Sequence, residues 1–415
     1  MESYIIIEKF IKGRALIERP GYTRIISPFI DKNIIKVLTG QRRVGKSYIL
    51  FQLILGIKKQ NSDANIIYIS KELKPFEHLV NDSLLYDFVK SNLKSNAKNY
   101  LFIDEVQDII GFEKALRSLL AENICDIFIT GSNAKLLSGE LATYLSGRYV
   151  EFAIHPLSYN EFLGFFSLEN NTETLNKYIA VGGMPYMKTI GLDENQVYEY
   201  LKNVYASILL RDVVARENIR NVRFLENLVE FLADNIGCLF SASNISKYFK
   251  SQQTSLTPQV ILSYIKSLCN AFFIHKVSRY DIKGKQLFEY GEKYYFEDIG
   301  LRNAIRGFNR AADIGKIIEN LVYNHLQQLG YTINVGQMDN TEIDFIAEQN
   351  GNQIYIQVAY LLNDEQTKKR EFGNLLKISN NYRKYVVTMD EYNNSSNYEG
   401  IEYIHLRHFL TKTEL

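Results

Sequence analysis

The chain has 415 residues, of which 46% are hydrophobic, 23% charged and 13% aromatic. That composition excludes a disordered chain, and the length predicts about three domains at roughly 150 residues each, with no need of disulfide or metal staples. Lys plus Arg number 48 and Asp plus Glu 47, a net charge of +1, so no global field draws the molecule to nucleic acid or anionic lipid and any such contact is a local patch. Cys125, Cys238 and Cys269 form no C-x-x-C pair. They argue against a zinc ribbon or a disulfide framework and suit a reducing compartment, so a cytoplasmic location is expected. The N-terminus carries Glu2 where a signal peptide has a basic region, and no apolar run is long enough to span a bilayer, so no membrane contact is expected.

From residue 33 to about 155, short β-branched runs alternate with helical stretches, which predicts an α/β fold with a parallel sheet covered on both faces. Strands are expected at 34–38, 65–70, 100–104, 126–130 and 149–153. After Pro156 the spacing turns helical, over 159–166, 173–179 and 197–218, interrupted by Gly182-Gly183-Met184-Pro185. Residues 224–298 then run through three helices and two strands, 272–280 and 287–296, joined around Lys283-Gly284-Lys285, the order of a winged helix. Thr257 and Pro258 supply the N-cap and first residue of its third helix. The remainder, with a helix near 314–329 and strands at 331–336, 342–348, 353–359 and 385–388, reads as a second α/β unit. The expected organisation is therefore an α/β core at 1–155, a helical subdomain at 156–220, a winged helix at 221–300 and an α/β domain at 301–415. The stretch 393–397, made only of Asn and Ser, is expected to be an exposed loop.

Gly40-Gln41-Arg42-Arg43-Val44-Gly45-Lys46-Ser47 fits G-x-x-x-x-G-K-[ST], directly after an apolar strand and opening a helix expected from Tyr48 to residue 55. The glycines let backbone N–H groups wrap phosphates, Lys46 reaches the β- and γ-phosphates, and the Ser47 hydroxyl ligates Mg²⁺ at the positive end of the helix. Asp104 and Glu105 end a second apolar strand: Asp104 faces the magnesium shell, and Glu105 is the candidate general base for an attacking water. Asn133, with Ser132 behind it, follows the strand at 126–130 and is read either as a sensor of the γ-phosphate or as a helix cap. Arg148 is read either as an arginine reaching a phosphate, in its own chain or in a neighbouring subunit, or as a structural ion-pair partner.

With these residues placed, the N-terminal half resembles the AAA-type branch of the P-loop ATPases, which have an extra strand between the phosphate-binding strand and the Asp-Glu strand; 65–70 fits that strand. More closely, GQRRVGKS, LFIDEVQ, ITGSNAKLLSG, LSGRYVEFAIHPLSYNEF and GGMP resemble a bacterial and archaeal family of AAA-type ATPases carrying a C-terminal domain of unknown function. The resemblance spans nearly the whole chain. It implies an ATP-binding module, a helical lid, a winged helix and a terminal domain similar to the PD-(D/E)XK nuclease fold. Working nucleases of that fold use a helix Glu, an Asp and then Glu-x-Lys. Here Glu319 and Asp344 fit the first two, whereas Gln357-Val358-Ala359 lacks both the carboxylate and the lysine. A nuclease-like shell without cleavage is therefore expected, with Glu319 and Asp344 as ordinary helix-surface and strand-end residues. The winged-helix segment carries Lys247, Lys250, Lys266, His275, Lys276, Arg279, Lys283 and Lys285, with Gln259 and Ser263 beside Lys266 on the third helix. That surface reads as a contact for double-stranded DNA or as a protein-binding module. The leading expectation is an ATP-hydrolysing, Mg²⁺-dependent switch, with a homo-oligomer left open. Its alternatives are a DNA- or protein-binding regulator that uses ATP as a structural ligand, and an ATP-dependent nuclease.

Overall fold

In the computed structural model, which describes residues 16–134, 145–217, 219–253, 256–288, 291–362, 365–390 and 396–415, the chain divides into two units. Unit 1 is Met1–His155 with Asn270–Phe272, and unit 2 is Pro156–Cys269 with Phe273–Leu415.

Unit 1 is built on β1 (Ile35–Thr39), β2 (Asn65–Ser70), β3 (Asn99–Asp104), β4 (Asp126–Gly131) and β5 (Tyr149–Ala153). All neighbours pair in parallel, in the order β2-β3-β4-β1-β5. Because successive side chains alternate, Ile35, Val37, Ile67, Ile69, Leu101, Ile103, Ile127 and Ile129 gather in one core with Leu85 and Val89 of the helix Asp82–Ser91 and with Leu116 and Leu119 of the helix Phe112–Glu122. Each such fully buried aliphatic chain contributes roughly 1.5–3 kcal/mol of transfer free energy. Phe102 and Phe128, on the intervening positions, stack at 4.6 Å, so the strands are apolar on both faces, as central parallel strands must be. The strand that lies between β1 and β3 in space is β4; the run 65–70 is instead the edge strand, beside β3. The helix opened by the phosphate loop is also longer than its pattern suggested, Lys46–Gln60. Both features matter to the site, because β1, β3 and β4 end side by side at one edge of the sheet.

Unit 2 begins with the helices Tyr159–Phe166, Thr172–Val181 and Glu194–Ser207. The expected helix 197–218 changes at residue 208 into a seven-residue π-helix, Ile208–Val214, which buries Asp212 beside Arg216. Three helices follow, Val222–Asp234, Ala242–Ser251 and Pro258–Asn270. The two strands expected after them are each broken in two. β6 (Ile274–Val277) pairs with β9 (Lys293–Phe296) as a separate antiparallel ribbon. The intervening hairpin, β7 (Arg279–Asp281) with β8 (Gln286–Leu287), joins the edge of a second sheet through β10 (Thr332–Met338). That sheet continues through β11 (Thr341–Gln349), β12 (Asn352–Ala359), β13 (Arg383–Thr388), β15 (Ile401–His405) and β14 (Ser396–Tyr398). Backbone hydrogen bonds thus run across the boundary expected at residue 300. The strands β14 and β15 and the helices Ile299–Arg306 and Glu365–Leu376 were not anticipated. Of the loop expected at 393–397, residues 393–395 lie outside the described residues and 396–397 open β14.

The Gly182-Gly183 turn is explained by packing. A Cβ on Gly182, whose φ is +74°, would meet the Gly300 nitrogen at 2.5 Å, and one on Gly300 would meet the Val181 carbonyl oxygen at 2.0 Å. Asp298, which caps the helix Ile299–Arg306, accepts from the Gly183 N–H at 2.7 Å and the Leu301 N–H at 2.9 Å. The turn is therefore the seat of a helix N-terminus.

One titration follows from this packing. His325 is buried on the helix Arg310–Gln328 against Phe409, and burial pushes its imidazole from 6.5 down to about 4. Between those values the unfolded chain binds a proton that the folded chain refuses, so stability is expected to fall as pH drops through that window. The total is on the order of 3 kcal/mol at the ordinary cost per pKa unit. Urea midpoints measured from pH 7 to pH 4 should show this loss, and His325→Gln should flatten it.

Candidate nucleotide site

The loop after β1 is shaped by two glycines. Gly40 has φ +142°, and a Cβ there would meet the Ile154 carbonyl oxygen at 2.1 Å, so β5 leaves room only for hydrogen. Gly45 has φ +99° and starts the helix Lys46–Gln60 with no side-chain cap, which leaves the first N–H groups of that helix for a ligand. Arg43 holds a left-handed φ of +69° and faces solvent, whereas Gln41, Arg42 and Val44 are buried. Both polar atoms of the Gln41 amide are buried with no partner among the described residues, an open hydrogen-bonding demand inside the loop. Tyr48 is exposed, its ring edge-on to Phe51.

Lys46 is buried and its ammonium donates to the Gly40 and Gln41 carbonyls at 2.9 and 3.0 Å, with the Glu105 carboxylate at 3.8 Å. Asp104 ends β3 beside it. Its carboxylate accepts from the Thr130 hydroxyl at 2.6 Å and from the Tyr68 hydroxyl at 3.3 Å. Burial and the adjacent Glu105 raise Asp104 to about 6, against the pull of Thr130, Ser47 and Lys46. It is therefore mostly ionised at neutral pH, yet in a place where a cation would be welcome.

Glu105 sits in a left-handed turn, φ +57°, as β3 ends. Its carboxylate accepts from the Ser132 hydroxyl at 3.0 Å and from the Gln107 amide. Burial pushes it up, but Lys46, Arg42 and these donors outweigh burial and hold it below the usual carboxylate range. The Thr130 hydroxyl accepts from the Glu105 N–H at 3.0 Å while donating to Asp104, so one side chain at the end of β4 orients both acids. Sequence reasoning missed Thr130, Tyr68 and Gln107; the available signal was a lone hydroxyl closing an otherwise apolar strand.

The structure thus brings Gly40, Gln41, Arg42, Val44, Gly45, Lys46, Ser47, Asp104 and Glu105 to one edge, with Ser132 and the buried Asn133 just past β4. The helix expected at 134–137 lies largely outside the described residues. Arg148 is not brought there. It is exposed and precedes Tyr149, which pairs with Ile35 at the start of β1, whereas the loop leaves after Thr39, paired with Ala153. Five residues at about 3.3 Å each place it roughly 16 Å away along the strand, so a role on a phosphate within its own chain is corrected.

The residues present fit Mg²⁺ with a nucleotide. A hydroxyl at the helix start and one carboxylate, near enough for the Ser47 side chain to favour the ionised Asp104, are the donors such an ion takes from protein when phosphates and waters complete its shell. Ser47 and Asp104 would hold it.

In unit 2, Glu319 and Asp344 are not the ordinary surface residues expected. Lys293, from β9, lies 3.0 Å from Glu319 and 2.8 Å from Glu342, and the Tyr295 hydroxyl donates to Glu319 at 2.7 Å. Asp344 accepts from the Val358 N–H at 2.7 Å, and Gln357 lies one step beyond the Phe345↔Ile356 pair, opposite Asp344, its amide oxygen buried with no partner among the described residues. Burial and Glu319 push Asp344 far up despite Lys293. Burial alone would lower the Lys293 ammonium; the carboxylates around it reverse that and keep it charged. The cation missing at Ala359 is thus present from another strand, bonded to the carboxylates. Among the described residues, no group of three or more His, Cys, Asp or Glu is placed to hold a metal ion.

The basic residues of 247–285 divide. Lys276 pairs with Glu292, Lys283 with Asp339, and His275 with Glu297, while Arg279 donates to Gln337 at 2.7 Å. Lys247, Lys250, Lys266 and Lys285 are exposed and make no ion pair among the described residues. The hairpin that carries Lys283 and Lys285 is tethered to the second sheet through β10 and Asp339. No helix among the described residues is long and apolar enough to cross a membrane.

Comparison with known proteins agrees with this geometry. Residues 32–163 match a family described as AAA domain, and residues 172–312 match a Domain of unknown function (DUF8612). An uncharacterized protein of Haemophilus influenzae is 36% identical over 400 residues, covering 95% of this chain and 98% of its own. An uncharacterized protein of Methanocaldococcus jannaschii is 35% identical over 357 residues, covering 82% of this chain and 77% of its own. Among solved structures, AMPPCP-bound DnaA from Aquifex aeolicus is similar at a TM-score of 0.30 and 17% identity, over 54% of this chain and 76% of that one. With that identity to the Haemophilus relative over nearly the full length of both proteins, the chain belongs to a bacterial and archaeal family that joins a P-loop AAA domain to a C-terminal domain of unknown function.

Proposed function

We propose that the protein is an ATP hydrolase that requires Mg²⁺ and uses the nucleotide state of unit 1 to switch the behaviour of unit 2. The observation that carries this reading is the pairing of two acids with different surroundings at one sheet edge. Asp104 is buried beside Ser47 and raised to about 6, and Glu105 is lowered and held by Ser132, Gln107 and Lys46. Two carboxylates whose environments separate them this way suit a division of labour between holding a cation and taking a proton. When bound, Mg²⁺ supplies charge neutralisation on the β- and γ-phosphates.

The chain's own residues do the rest. The loop N–H groups and Lys46 bind and orient the phosphates, Asn133 meets the γ-phosphate from the end of β4, and Glu105 takes the proton of the attacking water at a carboxylate oxygen. Glu105 must first leave the donors that hold it, so turnover is slow until a partner or a second subunit shifts it. An exposed Arg148 reaching a phosphate of a neighbouring copy is the form its role takes in this reading.

A second reading, contact with duplex DNA through the three-helix segment, is favoured by one observation, the four exposed lysines without ion pairs, Lys247, Lys250, Lys266 and Lys285. A nuclease is not favoured, since Lys293 is already bonded to Glu319, one of the two acids that would have to work. Single-turnover ATP hydrolysis, measured across a protein-concentration series with and without duplex DNA, tests all of this. Mg²⁺-dependent turnover rising with protein or with DNA is expected. Tight binding with no turnover under every condition would make ATP a structural ligand instead.

A further inference from the structure

Arg19 lies outside the phosphate-loop motif, yet it is 4% exposed and its guanidinium donates to two backbone carbonyls, Val44 within the loop and His155 just after β5, each at 3.0 Å. A charged group is expensive to bury and repays that cost only where its hydrogen bonds are well made. The approach to these carbonyls is itself built. The Arg19 N–H donates to the Gln52 side chain at 3.0 Å, and the Gln52 amide donates back to the Ile17 carbonyl at 3.1 Å, so the helix that follows the loop clasps the segment carrying Arg19. The guanidinium carbon stands 4.6 Å from the centre of the Tyr22 ring, and the Tyr22 hydroxyl accepts from the His155 N–H at 3.0 Å.

We propose that Arg19 is a positioning residue for the phosphate loop, fixing the Val44–Gly45 peptide so that the Gly45 N–H faces the bound phosphates. The reason is peptide geometry. In a planar trans peptide the C=O and the next N–H point in opposite directions, so a cation that holds the Val44 carbonyl outward turns the Gly45 N–H inward. Gly45, at φ +99°, can flip about this peptide at little cost, and an unpinned loop would spend part of its time with that N–H turned away. Arg19 supplies a pin from a separate helix-entry segment, Arg19 being the residue before the helix Pro20–Ile26. Both bonds leave from one nitrogen, Nη1, whose two hydrogens are fixed in the guanidinium plane; lysine is a poorer substitute, because the hydrogens of a rotating ammonium on a different stem are not held in that geometry.

The inference rests on the nucleotide reading above, and the test separates the two. Titration calorimetry with Mg²⁺–ATP and Mg²⁺–ADP is run on the full chain, wild type, Arg19→Met and Arg19→Lys, alongside the melting temperature of each without nucleotide and the single-turnover rate at saturating ATP. Arg19→Met is expected to raise both dissociation constants about 10- to 100-fold, the loss of a hydrogen bond to a charged group, while the saturated rate changes less than about twofold. Arg19→Lys should fall between wild type and Arg19→Met. Unchanged affinity in Arg19→Met with a lowered melting temperature would mean that Arg19 only fastens its helix, and would overturn the proposal. If Arg19→Met does not fold, Arg19→Lys decides alone, and wild-type affinity there also overturns it. Wild type binding neither nucleotide would instead remove the reading beneath, and this proposal with it.

Discussion

Lys46→Ala should weaken Mg²⁺–ATP binding by at least about 10²-fold and abolish hydrolysis with it. The ammonium at this position is a full positive charge buried within the loop, and contacts of a charged donor to phosphate oxygens are worth about 1.5–3 kcal/mol each. Lys46 also holds the Gly40 and Gln41 carbonyls, so its removal loosens the nest that the backbone N–H groups form. The same change leaves Glu105, 8% exposed, without the Lys46 ammonium 3.8 Å away. A carboxylate deprived of that partner rises toward protonation, and the variant should also melt at a lower temperature than wild type without ligand. Calorimetry and a melting curve on the same sample separate the two effects, since the affinity loss exceeds anything a slightly destabilised but folded loop would produce.

The second large effect falls on Glu105→Gln, for which hydrolysis is expected to drop by about 10²- to 10³-fold while ATP affinity stays within about threefold of wild type. Glutamine keeps the length and shape of the side chain and can still meet Ser132, but it cannot take a proton. It also removes the negative charge beside Asp104, which should lower the pH at which Asp104 ionises from its present value of about 6. Affinity for Mg²⁺–nucleotide in the variant should therefore decline less steeply below neutral pH than it does in wild type. A Glu105→Gln protein hydrolysing at the wild-type rate would take the base assignment away from this residue and point to a water activated without it.

Much of this site could be read before any coordinates because its parts are local in the chain. The phosphate loop is eight consecutive residues, and Asp104-Glu105 directly ends an apolar run, so spacing and strand ends locate them. What spacing does not contain is lateral order. Placing β4 between β1 and β3 is a decision of long-range pairing that brings Thr130 to the two acids, and the parallel register of β5 on β1 puts Arg148 at the opposite end of the strands. The same limit explains the winged-helix segment. Its three helices are read in order from their own periodicity, and the start of the third at Pro258 from the Thr257-Pro258 signal. The fate of its hairpin was set by β10, more than forty residues downstream in the chain, which captured β7 as a neighbour. Lys293 shows the other kind of blindness. A lysine opening the run Lys293–Phe296 looks like a solvated strand end, and only the arrival of Glu319 from a helix and Glu342 from a different strand turns it into a buried counter-ion.

The central claim is that a nucleoside triphosphate with Mg²⁺ seats between the loop after β1 and the acids that end β3. Isothermal titration of the folded, purified chain with ATP, in the presence and absence of Mg²⁺, tests this most directly. One saturable site per chain, strengthened by Mg²⁺ and lost in Lys46→Ala, is the predicted outcome. Absence of any binding heat with ATP or GTP, from protein whose melting curve shows it intact, would contradict it.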